Sequence, residues 1–574
     1  MKHKLLLRLR KDIPFFVLIF LLLLQNTVFS YWNWTLSNVI QYTSLSLFYS
    51  LLMALIVLLP FGRFAKYFFY FFLTILCTVN VFLHFQFKSK ISPNIMLLLG
   101  ETNTQESSEF IHQYVFSIST IPAVLFFFAA LLLIILAELY KRHTMSLNKK
   151  LMGIVVSIIT LLGICSFVRF SSLFLCRTTL EVDRWVETNE ARPMDNLSNL
   201  LFCLYDLYIG SNELSVAEQS TLEACQKEAR SNADTLSIVL VIGESYIKNH
   251  SSLYGYLKCT TPNMMKEEES GRLFVFTDVY SPYNLTSDVL RNVFSTNSIG
   301  AGEQWTGYPF FPVVFKKAGY DVFFWDNQYD PSGHESLDFS LNAYLHNSKT
   351  EKFAFTKINA NAFRYDEELI DDFVAQSDTT EKSLMLVIFH LMGQHSSYYD
   401  RYPHSREFDY YSVDSIKQTK PFHTIEKRKL IADYDNATRY NDYIVGKIIN
   451  HFRNENAVML YFSDHGDEVY DYRDFAFRDI SNTITPQILR YQYAVPFMIW
   501  CSDEFKRGNE TVIEQIKDAV NKPLMLDNVC HLLFSLAKID TPYYIQSRDI
   551  LDSAYSCPPR IVNDSINIDK ILDR

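Results

Sequence analysis

Cysteine is scarce here, with nine in 574 residues. That excludes a disulfide-dense mini-scaffold, and no CxxC pair or Cys/His ladder marks a structural zinc module. Positive charge is in deficit too: 53 Lys+Arg face 63 Asp+Glu, a net −10 at pH 7. The mean hydropathy of +0.01 is too apolar for a disordered chain and too polar for a transporter buried throughout. The deficit is uneven. Residues 1–175 carry 14 Lys+Arg against 5 Asp+Glu, a balance of +9, which leaves −19 for the remainder. A basic, apolar front and an acidic, soluble back describe a membrane anchor carrying an external domain. So acidic a soluble part excludes nucleic acid as a partner.

A helix crossing about 30 Å of hydrocarbon needs roughly 20 apolar residues. Five stretches qualify: Ile13–Ser30, Leu36–Pro60, Ala65–Phe85, Thr120–Tyr140 and Leu151–Phe170. The first follows a basic tail, as a signal peptide would, but lacks a small-x-small cleavage site and ends at Tyr31, Trp32 and Trp34, which read as interfacial anchors. Lys and Arg collect in the N-terminal tail, in the second-to-third connection (Arg63, Lys66) and in the fourth-to-fifth (Lys141, Arg142, Lys149, Lys150). With five alternating spans all three lie on the cytoplasmic side. Everything after about residue 172 is then external, as is the loop from Phe87 to Ser119, where Ile111 to Ile118 could line the interface. The division expected is a membrane domain over 1–175, a linker over 176–234 and a soluble domain over 235–574. The linker contains an amphipathic run, Leu197 to Tyr208, that fits a bridge on the bilayer or a helix packed on the soluble domain. Cys176, Cys203, Cys225, Cys259, Cys501, Cys530 and Cys557 fall outside, where disulfides are permitted; their pairing stays open.

From Thr235 on, β-branched apolar runs alternate with helical patterns, predicting an α/β domain with a largely parallel sheet. Leu236–Ile242 leads into Gly243-Glu244-Ser245. Leu384–Phe389 leads into His390-Leu391-Met392-Gly393-Gln394-His395, and Ala457–Phe462 into Ser463-Asp464-His465-Gly466. Ligands of open α/β sheets gather beyond the carboxyl ends of strands, so Glu244, His395, Asp464 and His465 are expected to converge. Their oxygen and imidazole donors suit zinc, which can polarise a phosphoryl oxygen and activate a hydroxyl. Thr286, after a strand expected over Leu273–Val279 and before a helical pattern, offers that hydroxyl where backbone N–H groups can steady phosphate. Taken singly, Glu244 is a solvated strand end, Asp464-His465-Gly466 an ordinary turn and Thr286 a helix N-cap. Their conjunction carries the reading.

At these residues the sequence resembles the bacterial phosphoethanolamine transferases that decorate lipopolysaccharide, within the alkaline phosphatase/sulfatase superfamily. The matching strings are Val241–Ser245, His250–Tyr256, Thr261–Met264, Ser281–Ser295, His390–Pro403, Tyr434–Asn436, Phe462–Tyr470 and Val495–Trp500. The resemblance implies five transmembrane helices followed by a sulfatase-like α/β domain in the periplasm, anchored in the inner membrane. It implies a zinc ion held by Glu244, Asp464 and His465, with Thr286 as nucleophile and fourth ligand, and it leaves a second ion open. His395 matches a histidine that contacts the phosphoethanolamine group or a second zinc, and Asn327 a substrate-binding asparagine. The implied reaction moves phosphoethanolamine from phosphatidylethanolamine through a phosphothreonine-type intermediate to lipid A or a core sugar. Two departures stand out: Tyr472–Arg490 lacks the further histidine of lipid A-modifying members, and Asp326-Asn327 is not followed by their Cys and Lys. The rivals are a phosphoglycerol transferase of the lipoteichoic acid synthase type and a catalytically silent membrane sensor. A hydrolytic sulfatase is disfavoured, since no Cys-x-Pro-x-Arg string exists for making formylglycine.

Overall fold

The structure, a computed structural model, describes residues 12–29, 36–87, 90–93, 96, 120–140, 149–188, 195–328, 348–361, 363–376, 384–478 and 484–572. Tyr31, Trp32 and Trp34, the stretch Ile111 to Ile118, and Lys141 and Arg142 lie outside those residues. The chain divides into two compact units, Met1–Asn212 and the greater part of Glu213–Arg574.

In the first unit the five apolar stretches form helices α1 (Ile13–Phe29), α2 (Leu36–Val57), α3 (Gly62–Phe87), α4 (Ile121–Tyr140) and α5 (Lys149–Ser171). Four of them, α2 to α5, are long and apolar enough to cross a membrane, while α1 is a shorter apolar helix. A helix suits lipid because it satisfies its own backbone groups. Small and polar residues then fix the packing. A Cβ on Gly163 of α5 would stand 2.4 Å from Phe48 Cβ of α2. Lys66, one of the charges used to orient the spans, is enclosed between Asp12 at 3.1 Å and Glu138 at 2.5 Å.

Helices α6 (Thr179–Thr188) and α7 (Asn196–Gln226) follow. The run Leu197–Tyr208 is the first part of α7. Phe202 and Cys203 are buried in the apolar cluster of the first unit, together with Leu22, Leu23 and Leu73. Asn196 fastens this start: it accepts from Asn80 Nδ2 at 2.6 Å, and its own amide donates to Leu22 O at 2.7 Å.

In the second unit seven strands form one sheet: β1 (Leu236–Gly243), β2 (Leu273–Phe276), β3 (Asp321–Asp326), β4 (Lys357–Ile358), β5 (Leu384–His390), β6 (Ala457–Ser463) and β7 (Phe497–Cys501). Their order across the sheet is β2-β7-β6-β1-β5-β3-β4, with the pairs from β6 through β4 parallel and β7 antiparallel to both neighbours. Parallel strands are covered on both faces, hence the near-continuous apolar runs; all eight residues of β1 are buried. The strand expected over Leu273–Val279 breaks after Phe276. Thr277 N turns to Val520 O, and Val279–Tyr280 pairs separately with Leu524–Met525. Arg560 Nη1 pulls on Asp278 at this break, 2.9 Å from its carboxylate. All nine cysteines are free thiols.

Leu240, fully buried in the central strand, tests this core. Leu240→Ala is expected to cost about 2–5 kcal/mol, seen as a drop of several degrees in the melting temperature of the purified chain. An unchanged melting temperature contradicts the placement of β1.

Candidate metal centre and nucleophile

Register brings the site together. Gly243 stands opposite Ser463 across the β1–β6 pair, and Ile242 opposite His390 across β1–β5, so three strands end side by side. Their exits are tied by backbone bonds: Asp464 N to Gly243 O (3.0 Å), Leu391 N to Ile242 O (2.9 Å) and Gln394 N to Glu244 O (3.0 Å). The last approach needs glycine. Gly393 has φ +47°, and a Cβ there would sit 2.9 Å from Glu244 N. Ser245 also takes a left-handed conformation, φ 55°, which lets its N–H donate to Asp464 Oδ1 (3.1 Å) and its hydroxyl to Glu244 Oε1 (2.6 Å). Strain of this kind gathers at functional sites.

Glu244, Asp464 and His465 are fully buried, and one donor atom from each lies within 4.8 Å of the others. Thr286 is the first residue of helix α8 (Thr286–Phe294), whose N-cap is Leu285. Thr286 therefore does not cap its own helix, contrary to its ordinary reading. Its hydroxyl instead donates to Glu244 Oε2 at 2.9 Å and lies 3.3 Å from His465 Nε2. Three of the expected ligands and the expected nucleophile thus converge from positions more than two hundred residues apart.

The electrostatics ask for a cation. Burial, then the neighbouring Glu244, pushes the Asp464 carboxyl well above the usual range. Glu244 is held well below its usual range: burial works against this, and His465 and then His395 overcome it. Burial drives His465 down to about 4, so its ring is neutral. Nδ1 of that ring faces Gly466 O at 2.7 Å and carries the proton, which leaves a lone pair on Nε2. Among the described residues, buried Asp464 Oδ2 has no hydrogen-bond partner and lies 3.2 Å from Nε2. Two carboxylates, an imidazole lone pair and a hydroxyl form an acceptor-rich, oxygen-and-nitrogen donor set that fits a divalent ion of the zinc type.

His395 is half-buried on the turn that follows β5, its Nδ1 3.3 Å from Ser396 Oγ. Asn327 takes a different place. Its amide donates to Asp366 Oδ1 (2.9 Å) and its carbonyl accepts from Phe363 N (2.7 Å). Asp366 in turn receives Met392 N and Gly393 N, so Asn327 braces the turn that carries His395. Its neighbour Gln328 faces the centre instead, with Nε2 3.2 Å from Glu244 Oε2. Arg478 Nη1 reaches His465 Nε2 at 2.9 Å. Sequence reasoning missed both: Gln328 follows a matched dipeptide by one position, and Arg478 sits in no motif. Buried Glu468 accepts from Gln492 at 2.6 Å, and Gln492 accepts from Asn284 at 2.8 Å, two residues before Thr286.

Residues 237–539, more than half of the chain, match the family described as Sulfatase. The chain belongs to the sulfatase family. Among curated sulfatase relatives it is 26% identical over 493 residues to phosphoethanolamine transferase EptC of Escherichia coli strain K12, covering 84% of this chain and 82% of that protein. It is 25% identical over 494 residues to phosphoethanolamine transferase CptA of Salmonella typhimurium strain LT2, again covering 84% and 82%. Among solved structures it resembles the C-terminal periplasmic domain of EptC from Escherichia coli: TM-score 0.50, 26% identity, 59% of this chain and 93% of that one.

The strap after His465 is anchored by His250, buried between Asp435 at 2.7 Å and Asp471 at 2.9 Å. Burial opposes charge on His250, but Asp471 and Asp435 prevail and raise it to about 10. In the unfolded chain its value returns to about 6.5. A raised pKa stabilises fully below the unfolded value, and the contribution is lost as pH climbs through the folded one. The melting-temperature gap between wild type and His250→Gln is therefore expected to be widest near pH 6 and to shrink toward pH 10. A gap that does not vary with pH contradicts the ion-pair assignment.

Proposed function

We propose that this chain transfers phosphoethanolamine from phosphatidylethanolamine to lipopolysaccharide, at lipid A or a core sugar, through a covalent adduct on Thr286. The observation that carries the reading is the Thr286 hydroxyl, aimed at Glu244 within a buried acceptor cluster instead of capping its own helix. Relatives matched over four-fifths of their length and named phosphoethanolamine transferases support it.

Glu244, Asp464, His465 and Thr286 would hold one zinc ion, which when bound supplies polarisation of a phosphoryl oxygen and a lowered pKa for a hydroxyl beside it. In the first step the Thr286 Oγ1–P bond forms and the P–O bond to diacylglycerol breaks. The hydroxyl proton departs along the hydrogen bond to Glu244 Oε2, and His395 protonates the diacylglycerol oxygen. In the second step an acceptor hydroxyl or phosphate, its proton taken by His395, forms the new bond to phosphorus as the Thr286 Oγ1–P bond breaks, and Thr286 regains its proton from Glu244. The start of α8, whose N-cap Leu285 supplies no side-chain hydrogen bond, adds backbone N–H groups toward the anionic phosphate.

The anchor has a reason under this reading, since donor and acceptor are both lipids. On this reading residues 1–175 cross the inner membrane five times, α1 included, and residues 235–574 lie in the periplasm, joined by 176–234.

Thr286→Ala is expected to lose both diacylglycerol release from labelled phosphatidylethanolamine and the phosphoethanolamine mass increment on the protein, a loss of at least about 10³-fold. Thr286→Ser retains the increment. Transfer that survives Thr286→Ala contradicts the nucleophile. Dialysis against a chelator should abolish transfer and added zinc restore it; transfer untouched by chelation contradicts the metal.

A further inference from the structure

Arg478 lies 13 residues beyond His465, at the end of a strap that folds back on itself. Val469 bridges Ala476, Tyr470 N bonds Phe475 O at 3.0 Å, and Phe477 N bonds Glu468 O at 2.8 Å. Other charges of the strap are spent on holding it. Arg473 forks onto Glu468 at 2.8 and 2.7 Å, Asp471 pairs with His250, and Asp474 with Lys427. Phe477 then adopts φ 74°, a left-handed conformation costly for a bulky aromatic, with its ring 5.8 Å from that of Tyr398. That turn sends the next side chain into the site. Arg478 meets His465 Nε2 at 2.9 Å and, among the described residues, forms no ion pair with a carboxylate.

A guanidinium has five N–H donors in a planar fork, and among the described residues one of them is engaged, by His465. Its charge is permanent and its geometry matches two oxygens of a phosphoryl group. His465 Nε2 has a single lone pair, so an ion on that nitrogen displaces Arg478 and frees its donors at the mouth of the site. Tyr472–Arg490 contains no histidine, and among the described residues the only metal-ligating cluster is Glu244, Asp464 and His465. One divalent ion leaves negative charge on the phosphoryl oxygens turned away from it.

We propose that Arg478 is a catalytic residue whose guanidinium binds two non-bridging oxygens of the transferring phosphoryl group, supplying the positive charge that a second metal ion would otherwise bring. The inference rests on the transferase reading above and adds a residue to it. In both steps the bonds to phosphorus change as already described; Arg478 gives and takes no proton.

The test uses the full chain in lipid nanodiscs containing zinc and fluorescent phosphatidylethanolamine, comparing wild type, Arg478→Lys and Arg478→Ala. Arg478→Ala is expected to lower kcat by about 10²–10⁴-fold, with KM within about threefold, unchanged zinc content and unchanged melting temperature. Arg478→Lys recovers little of this, because a point charge does not fork. Added guanidinium ion raises the rate of Arg478→Ala and not that of wild type. A kcat within about threefold of wild type, or full activity in Arg478→Lys, overturns the inference while wild-type turnover upholds the transferase reading. If wild type consumes phosphatidylglycerol instead, the ethanolamine assignment falls and the same three proteins on that lipid decide Arg478. If it consumes neither lipid, both fall.

Discussion

Two carboxylates, Glu244 and Asp464, are buried within a few ångströms of each other and of a neutral imidazole. Like charges so placed cannot both ionise without a cation between them, and desolvation makes the cost severe. This crowding governs the rest of the site. Burial and then Glu244 drive the carboxyl of Asp464 up, burial keeps His465 uncharged, and the Thr286 hydroxyl comes in as a donor to Glu244. A divalent ion held there would offset the unfavourable charge.

The scaffold answers that demand with rigidity. The ligands leave the ends of fully buried, mutually paired strands, so their positions follow from register and not from loop conformation. Outside them lies a ring of braces: Asp366 under the His395 turn, Glu468 and Gln492 beside the segment that leads to Thr286, His250 under the strap. Each brace is itself a buried polar group with its partners in place, as preorganised catalysis requires.

Much of this was legible in the sequence because the parallel core writes itself as apolar runs without helical periodicity. Leu236–Ile242, Leu384–Phe389 and Ala457–Phe462 were readable as strands, and the rule that ligands gather at carboxyl ends then put Glu244, Asp464 and His465 together. Other features follow from facts that spacing does not encode. Whether Asn327 or Gln328 faces the centre depends on which side of the β3 exit Asp366 occupies. Arg478 arrives through a left-handed turn at Phe477, which no residue preference announces. The break after Phe276 reflects Val520 and Arg560, both distant in the chain. In the anchor, apolar length was plain, yet Leu197–Tyr208 showed amphipathicity without showing its partner, which proved to be the apolar cluster of the anchor helices.

The central claim is that this cluster of acceptors holds a zinc ion through oxygen and one imidazole nitrogen. X-ray absorption at the zinc K-edge on the purified full-length chain tests it most directly. The account predicts a four-coordinate shell of light atoms at about 2.0–2.2 Å, with the outer-shell scattering of one histidine and no sulfur. A sulfur shell near 2.3 Å, several imidazoles, or a chain that holds no zinc would contradict it.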